Sequence, residues 1–70
     1  MKISARNVLP GKVVAVTKGA TTANVKIEIA GGNIITSSIT NDAVDELGLK
    51  AGQEVSAVIK SSDVLVATKS

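Results

Sequence analysis

Between Ala23 and Ile29 the chain alternates. Ala23, Val25, Ile27 and Ile29 fall on one side of an extended backbone, and Asn24, Lys26 and Glu28 on the other. A period of two is the signature of a β-strand with one dry face and one wet face. Gly31-Gly32-Asn33 follows at once, and then Asn33 to Thr40, a run rich in Ile, Thr and Ser. A short glycine turn between two β-type runs predicts a hairpin. Thr36, Ser37 and Ser38 place hydroxyls on both faces of the second strand, so at least one of them should point inward or into an interface.

The flanking segments extend the β pattern. Met1 to Asn7 alternates loosely and predicts a short strand or arm, punctuated by Pro10-Gly11. Lys12 to Lys18 is Val-rich and predicts a strand, with a turn or bulge at Gly19. Asn41 to Leu47 has the one helical pattern. Thr40, Asn41 and Asp42 are candidate N-caps, acidic residues crowd the first turn, and Gly48 suits the left-handed position that ends a helix. A turn at Lys50 to Gln53 precedes a strand from Glu54 to Lys60, with Val55, Ala57 and Ile59 on one face. Ser61-Ser62-Asp63 turns the chain, and Val64 to Thr68 predicts a last strand. Five strands with a helix after the third match a small all-β, OB-like Greek-key barrel, with an open or swapped sandwich as the alternative. The 70 residues predict a single domain.

Such a domain is hard to stabilise alone. It has no cysteine for a disulfide and no Phe, Tyr or Trp, the side chains that bury most area each. Yet 44% of the chain is hydrophobic, nearly all of it Val, Ile, Ala and Leu. A short apolar chain without large side chains gains most by burying a second surface against copies of itself, so an obligate homo-oligomer is expected. Met1-Lys2-Ile3-Ser4 lacks the apolar core of a signal peptide and no run reaches membrane-spanning length, which predicts a cytoplasmic protein with no membrane partner.

The same composition narrows the chemistry. Without His or Cys the commonest general base and the best nucleophile are missing, so no enzyme activity is expected. OB-type barrels bind single-stranded nucleic acid through aromatic platforms in a basic groove. This chain has no aromatic residue and only 8 Lys+Arg, dispersed, against 6 Asp+Glu, so nucleic acid is not the expected partner. What remains is two groups of hydrogen-bond donors, Ser4-Ala5-Arg6-Asn7 and Lys60-Ser61-Ser62, each with one cation among small polar side chains. If the fold unites them, they form a donor-rich pocket suited to a tetrahedral dianion such as molybdate, tungstate or sulfate. Backbone N–H groups at the helix start after Thr40 would add donors, although Asp42, Asp45 and Glu46 would repel an anion unless they point away. On spacing alone, ordinary ion pairs at Arg6 and Lys60 are the stronger reading. A regulatory or interaction barrel without an anion site stays open beside it.

Ser4-Ala5-Arg6-Asn7, Gly11-Lys12-Val13, Lys18-Gly19, Ile39-Thr40, Leu47-Gly48-Leu49, Gly52 and Val58-Ile59-Lys60-Ser61 together resemble the molbindin (Mop) family over essentially the whole chain. The family comprises small cytoplasmic proteins that bind molybdate and tungstate. The resemblance implies an OB-like barrel assembled as a homo-hexamer, a trimer of dimers, with small oxyanions at subunit interfaces. It implies storage of molybdate or tungstate, with no cofactor and no reaction. By position, Ser4 and Arg6 match the family's N-terminal donors, Lys60 and Ser61 its C-terminal ones, and Thr40 the hydroxyl before the helix. The family often has a Ser where this chain has Ala43, which implies a contact through the Ala43 backbone N–H. Gly19, Ala20 and Thr22, with Ser37 and Ser38, are the candidates for a second class of site.

Overall fold

The computed structural model describes residues 3–69. Its frame is one antiparallel sheet of four strands: β1 (Asn7–Lys18), β2 (Thr22–Ile29), β3 (Ile34–Thr40) and β4 (Glu54–Ile59), in the order β3-β2-β1-β4. A single helix, α1 (Asn41–Leu47), joins β3 to β4. The sheet curls into a half-barrel, so its concave side is an open cleft of about 390 Å³.

The curl originates in β1. Its first half pairs with β4 (Asn7↔Ile59 to Lys12↔Glu54), and its second half pairs with β2 (Gly11↔Ile29 to Lys18↔Ala23). The strand thus changes neighbours at Gly11-Lys12, and a bulge at Val14 adds twist just beyond. Pro10-Gly11 does not interrupt the strand as the sequence suggested. Pro10 lies before the first β2 partner, where β1 is paired on one side, so its missing N–H breaks no two-sided ladder. Gly11 permits the crossing itself. A Cβ there would stand 2.5 Å from the Glu28 carbonyl oxygen and 2.9 Å from Ile27 Cγ2.

The β2–β3 hairpin forms as expected. A 3-10 turn at Ala30–Gly32 closes it, with Gly31 and Gly32 at φ of 86° and 84° and the Ile29 N–H donating to the Asn33 carbonyl. Ala23, Val25 and Ile27 are buried and alternate with exposed Asn24, Lys26 and Glu28. On β3, Ser37 faces the cleft while Thr36 and Ser38 face outward. Thr40 caps α1, Val44 is its buried anchor, and Gly48 ends it in the left-handed region. The core consists of Val13, Ala23, Val25, Ile27, Val44 and Ala57, all of modest size.

Two expectations are corrected. Residues 3–6 form no strand, and β1 begins only at Asn7; Met1 and Lys2 lie outside the described residues. No fifth strand forms at Val64 to Thr68, so among the described residues the sheet has four strands and a complete five-stranded barrel is not closed. The reason is local. The 3-10 turn Ser61–Asp63 carries the chain away from β4, and Leu65 and Val66 are 92% and 90% exposed.

Gly11→Ala should lower stability by about 2 kcal/mol, as overpacking against a fixed backbone does. Urea unfolding followed by far-UV circular dichroism measures this, and an unchanged midpoint would remove the close crossing as the origin of the curl.

Candidate functional site

The donor groups singled out in the sequence gather at two ends of the molecule. At the first end, Asn7 pairs with Ile59 across β1 and β4, and the Asn7 Nδ2 donates to the Ile59 carbonyl at 3.2 Å. The register therefore sets Ser4 and Arg6, just before β1, beside Lys60 and Ser61, just after β4. All four are exposed. The fold thus brings these two groups to one end of the β1–β4 ladder within a single chain. The one ion pair among the described residues is elsewhere, between Lys18 and Asp45.

At the other end of β1, the Gly19–Thr22 turn meets the start of α1. Thr22 and Thr40 are direct cross-strand partners and both are exposed. Ser38 lies two residues before Thr40 on the same outer face, whereas Ser37 points into the cleft on the opposite face. Gly19, Ala20, Thr22, Ser38 and Thr40 thus lie at one end, and Ser37 is separated from them. The turn is tight: the Gly19 N–H donates to the Thr22 carbonyl at 2.7 Å.

Hydrogen bonding at the helix start differs from a plain donor cluster. The Ala43 N–H donates to Thr40 Oγ1 at 3.0 Å, and the Asn41 N–H donates to the Thr21 carbonyl at 2.9 Å. Two of the first three helical N–H groups are thereby committed to the fold, including the one through which Ala43 was expected to reach an anion. The Thr40 hydroxyl accepts from Ala43 and keeps its own proton to donate. Lys18 at this end is paired with Asp45 of the helix.

Asn41 was read in the sequence only as a possible cap. Its Nδ2 donates to the Gly19 carbonyl at 3.0 Å, so one side chain ties the turn to the helix. The available signal was an amide at the first helical position, directly after a residue that already caps, where helix propensity gives no reason for Asn.

With donors at both ends and a helix capped by Thr40, the chain can be set beside known proteins. Residues 3–66 match the TOBE domain family. The chain is 62% identical over 66 residues to molybdenum-pterin-binding protein 1 of Clostridium pasteurianum, covering 94% of this chain and 97% of that protein. It belongs to the TOBE-domain family, among the molybdenum-pterin-binding (Mop) proteins. A Haemophilus influenzae relative, described as a probable molybdenum-pterin-binding protein, is 50% identical over 94% of this chain and 96% of its own length. Among solved structures, MopII from Clostridium pasteurianum superposes with a TM-score of 0.90 at 58% identity, over 96% of this chain and all of that one. The cytoplasmic molybdate-binding protein ModG, with molybdate bound, gives 0.89 at 49% identity over 93% of this chain and 46% of its own. Both superpose on the half-barrel described above.

Thr40→Ala should cost about 1 kcal/mol through loss of the cap, while Thr40→Ser should cost much less. For a domain of this size that is a drop of roughly 4–8 °C in thermal midpoint. Differential scanning calorimetry distinguishes the two variants.

Proposed function

We propose that the chain binds molybdate or tungstate as the free oxyanion, with no cofactor and no catalysed reaction. Ser4, Arg6, Lys60 and Ser61 supply one half of each site and Thr40 the other. One observation carries this reading: the two donor sets stand at opposite ends of the 12-residue β1. At about 3.3 Å per residue the separation is roughly 30 Å or more. An oxyanion a few ångströms across cannot be held by both sets of one chain, so the second set comes from another copy. Sites at subunit interfaces follow, and a cytoplasmic store of molybdate, as a homo-hexamer built from three dimers, is the function that fits them. ModG, solved with molybdate bound, supports the oxyanion, and the Clostridium relative, named for binding molybdenum-pterin, supports molybdenum as the element bound.

The unclosed barrel supports self-association independently. The cleft is lined by apolar side chains including Val13, Ile39, Leu49 and Val55, and bounded by the free edges of β3 and β4. The exposed Val64-Leu65-Val66 segment has the composition of the strand that this gap lacks. A neighbouring copy can provide it, which completes the five-stranded barrel in the assembly.

Calorimetric titration with molybdate should show binding that Arg6→Ala weakens by at least about tenfold, the order expected for losing a charge-assisted hydrogen bond. Binding that is absent, or indifferent to Arg6→Ala, would falsify the site. Light scattering should give a particle of about 43 kDa, six times the 7.1 kDa chain. Leu65→Asp with Val66→Asp should shift it towards smaller species, and a folded wild-type monomer at micromolar concentration would refute the assembly.

A further inference from the structure

We propose that Asn41 is a positioning residue of the oxyanion site, holding the Gly19–Thr22 turn and Thr40 as one unit without touching the ligand. The inference rests on the molybdate-binding reading above. Asn41 grips the turn at two carbonyls, Gly19 through Nδ2 at 3.0 Å and Thr21 through its backbone N–H at 2.9 Å. The turn closes on itself through the Gly19 N–H and the Thr22 carbonyl. A methyl on Gly19 would stand 3.0 Å from that same carbonyl, so the closed turn favours glycine at this position.

The orientation of the Asn41 amide is fixed by chemistry. Reversing it would press the amide oxygen against the Gly19 carbonyl oxygen. In the observed orientation Oδ1 is buried without a hydrogen-bond partner. A buried orphan acceptor is unfavourable and calls for an explanation. A residue with no side-chain amide at position 41 would avoid it and still leave Thr40 as the cap. The return for keeping Asn is the bond to Gly19, and the geometry shows what that bond fixes. Thr22 and Thr40 are directly opposed across β2 and β3 at the rim where the turn attaches. Side chains so placed have Cβ atoms about 5 Å apart on one face, a spacing that lets two hydroxyls reach different oxygens of one tetrahedral anion. Loosening the turn lets Thr22 drift relative to Thr40, and the paired grip is lost.

The test compares molybdate dissociation constants of the intact assembly for wild type, Asn41→Ala, Asn41→Leu and the control Glu54→Ala. Glu54 is exposed opposite Lys12 at the middle of β1, away from both donor groups. Both Asn41 variants should bind about tenfold more weakly at a temperature where circular dichroism shows them folded, and Glu54→Ala should stay within about twofold of wild type. Nuclear magnetic resonance should show the Thr22 and Thr40 signals responding together to molybdate in wild type and losing that joint response in Asn41→Leu. If Asn41→Ala does not fold, Asn41→Leu, which keeps the side-chain shape without the amide and adds no charge, carries the comparison. A purely structural Asn41 would lower the thermal midpoint and leave the dissociation constant within about twofold, and that result overturns the positioning role alone. A wild type that does not bind molybdate overturns the proposed function and this inference together.

Discussion

The passage of Gly11 beneath the Glu28 carbonyl is the contact on which the rest of the architecture depends. At that point β1 leaves β4 and takes up β2, and a backbone without a side chain is what lets the two partners converge. Because one strand serves both neighbours in turn, four strands make a half-barrel where a flat sheet would otherwise form. The curl sets the concave wall and gathers six small apolar residues into a core. It also delivers the N-terminal arm to the end of β4. The β1–β4 register sets the donors at one end, and the β1–β2 and β2–β3 registers set those at the other.

The core explains why the fold stops short of closure. Val, Ala and Ile fill the space between β1, β2, α1 and β4 without a large side chain to seal the open side. The apolar residues that would finish the job, Leu65 and Val66, lie beyond a 3-10 turn and face outward. A chain that ends its core this way leaves hydrophobic surface exposed, and the proposed assembly would bury it. Composition had already pointed there through the missing aromatics and cysteines.

How well the sequence could be read followed how local each determinant is. Alternation in Ala23 to Ile29, the Gly31-Gly32 turn, the Thr40 cap and the Gly48 terminus are set by neighbouring residues, and each was legible. Pro10-Gly11 misled because its meaning is not local. The pair reads as a turn until β4 and β2 are seen on either side of it. Val64 to Thr68 has strand composition, but pairing needs an edge to join, and no sequence pattern says whether that edge belongs to the same chain. Arg6 and Lys60 share one end of the β1–β4 ladder only because Asn7 pairs with Ile59, a long-range register that no local pattern fixes. The involvement of Asn41 depends on a carbonyl 22 residues away, beyond the reach of any periodicity argument.

The length of β1 has a thermodynamic consequence. If the proposed site is right, a strand of 12 residues holds complementary half-sites apart on every protomer. On the proposed reading, ligand affinity and assembly then share one equilibrium, because an anion that bridges two copies favours whatever brings them together. Occupancy would depend on protein concentration as well as on anion concentration, and dilution alone would release the cargo. A store built this way needs no gate, since its retention is set by how much of the protein the cell keeps.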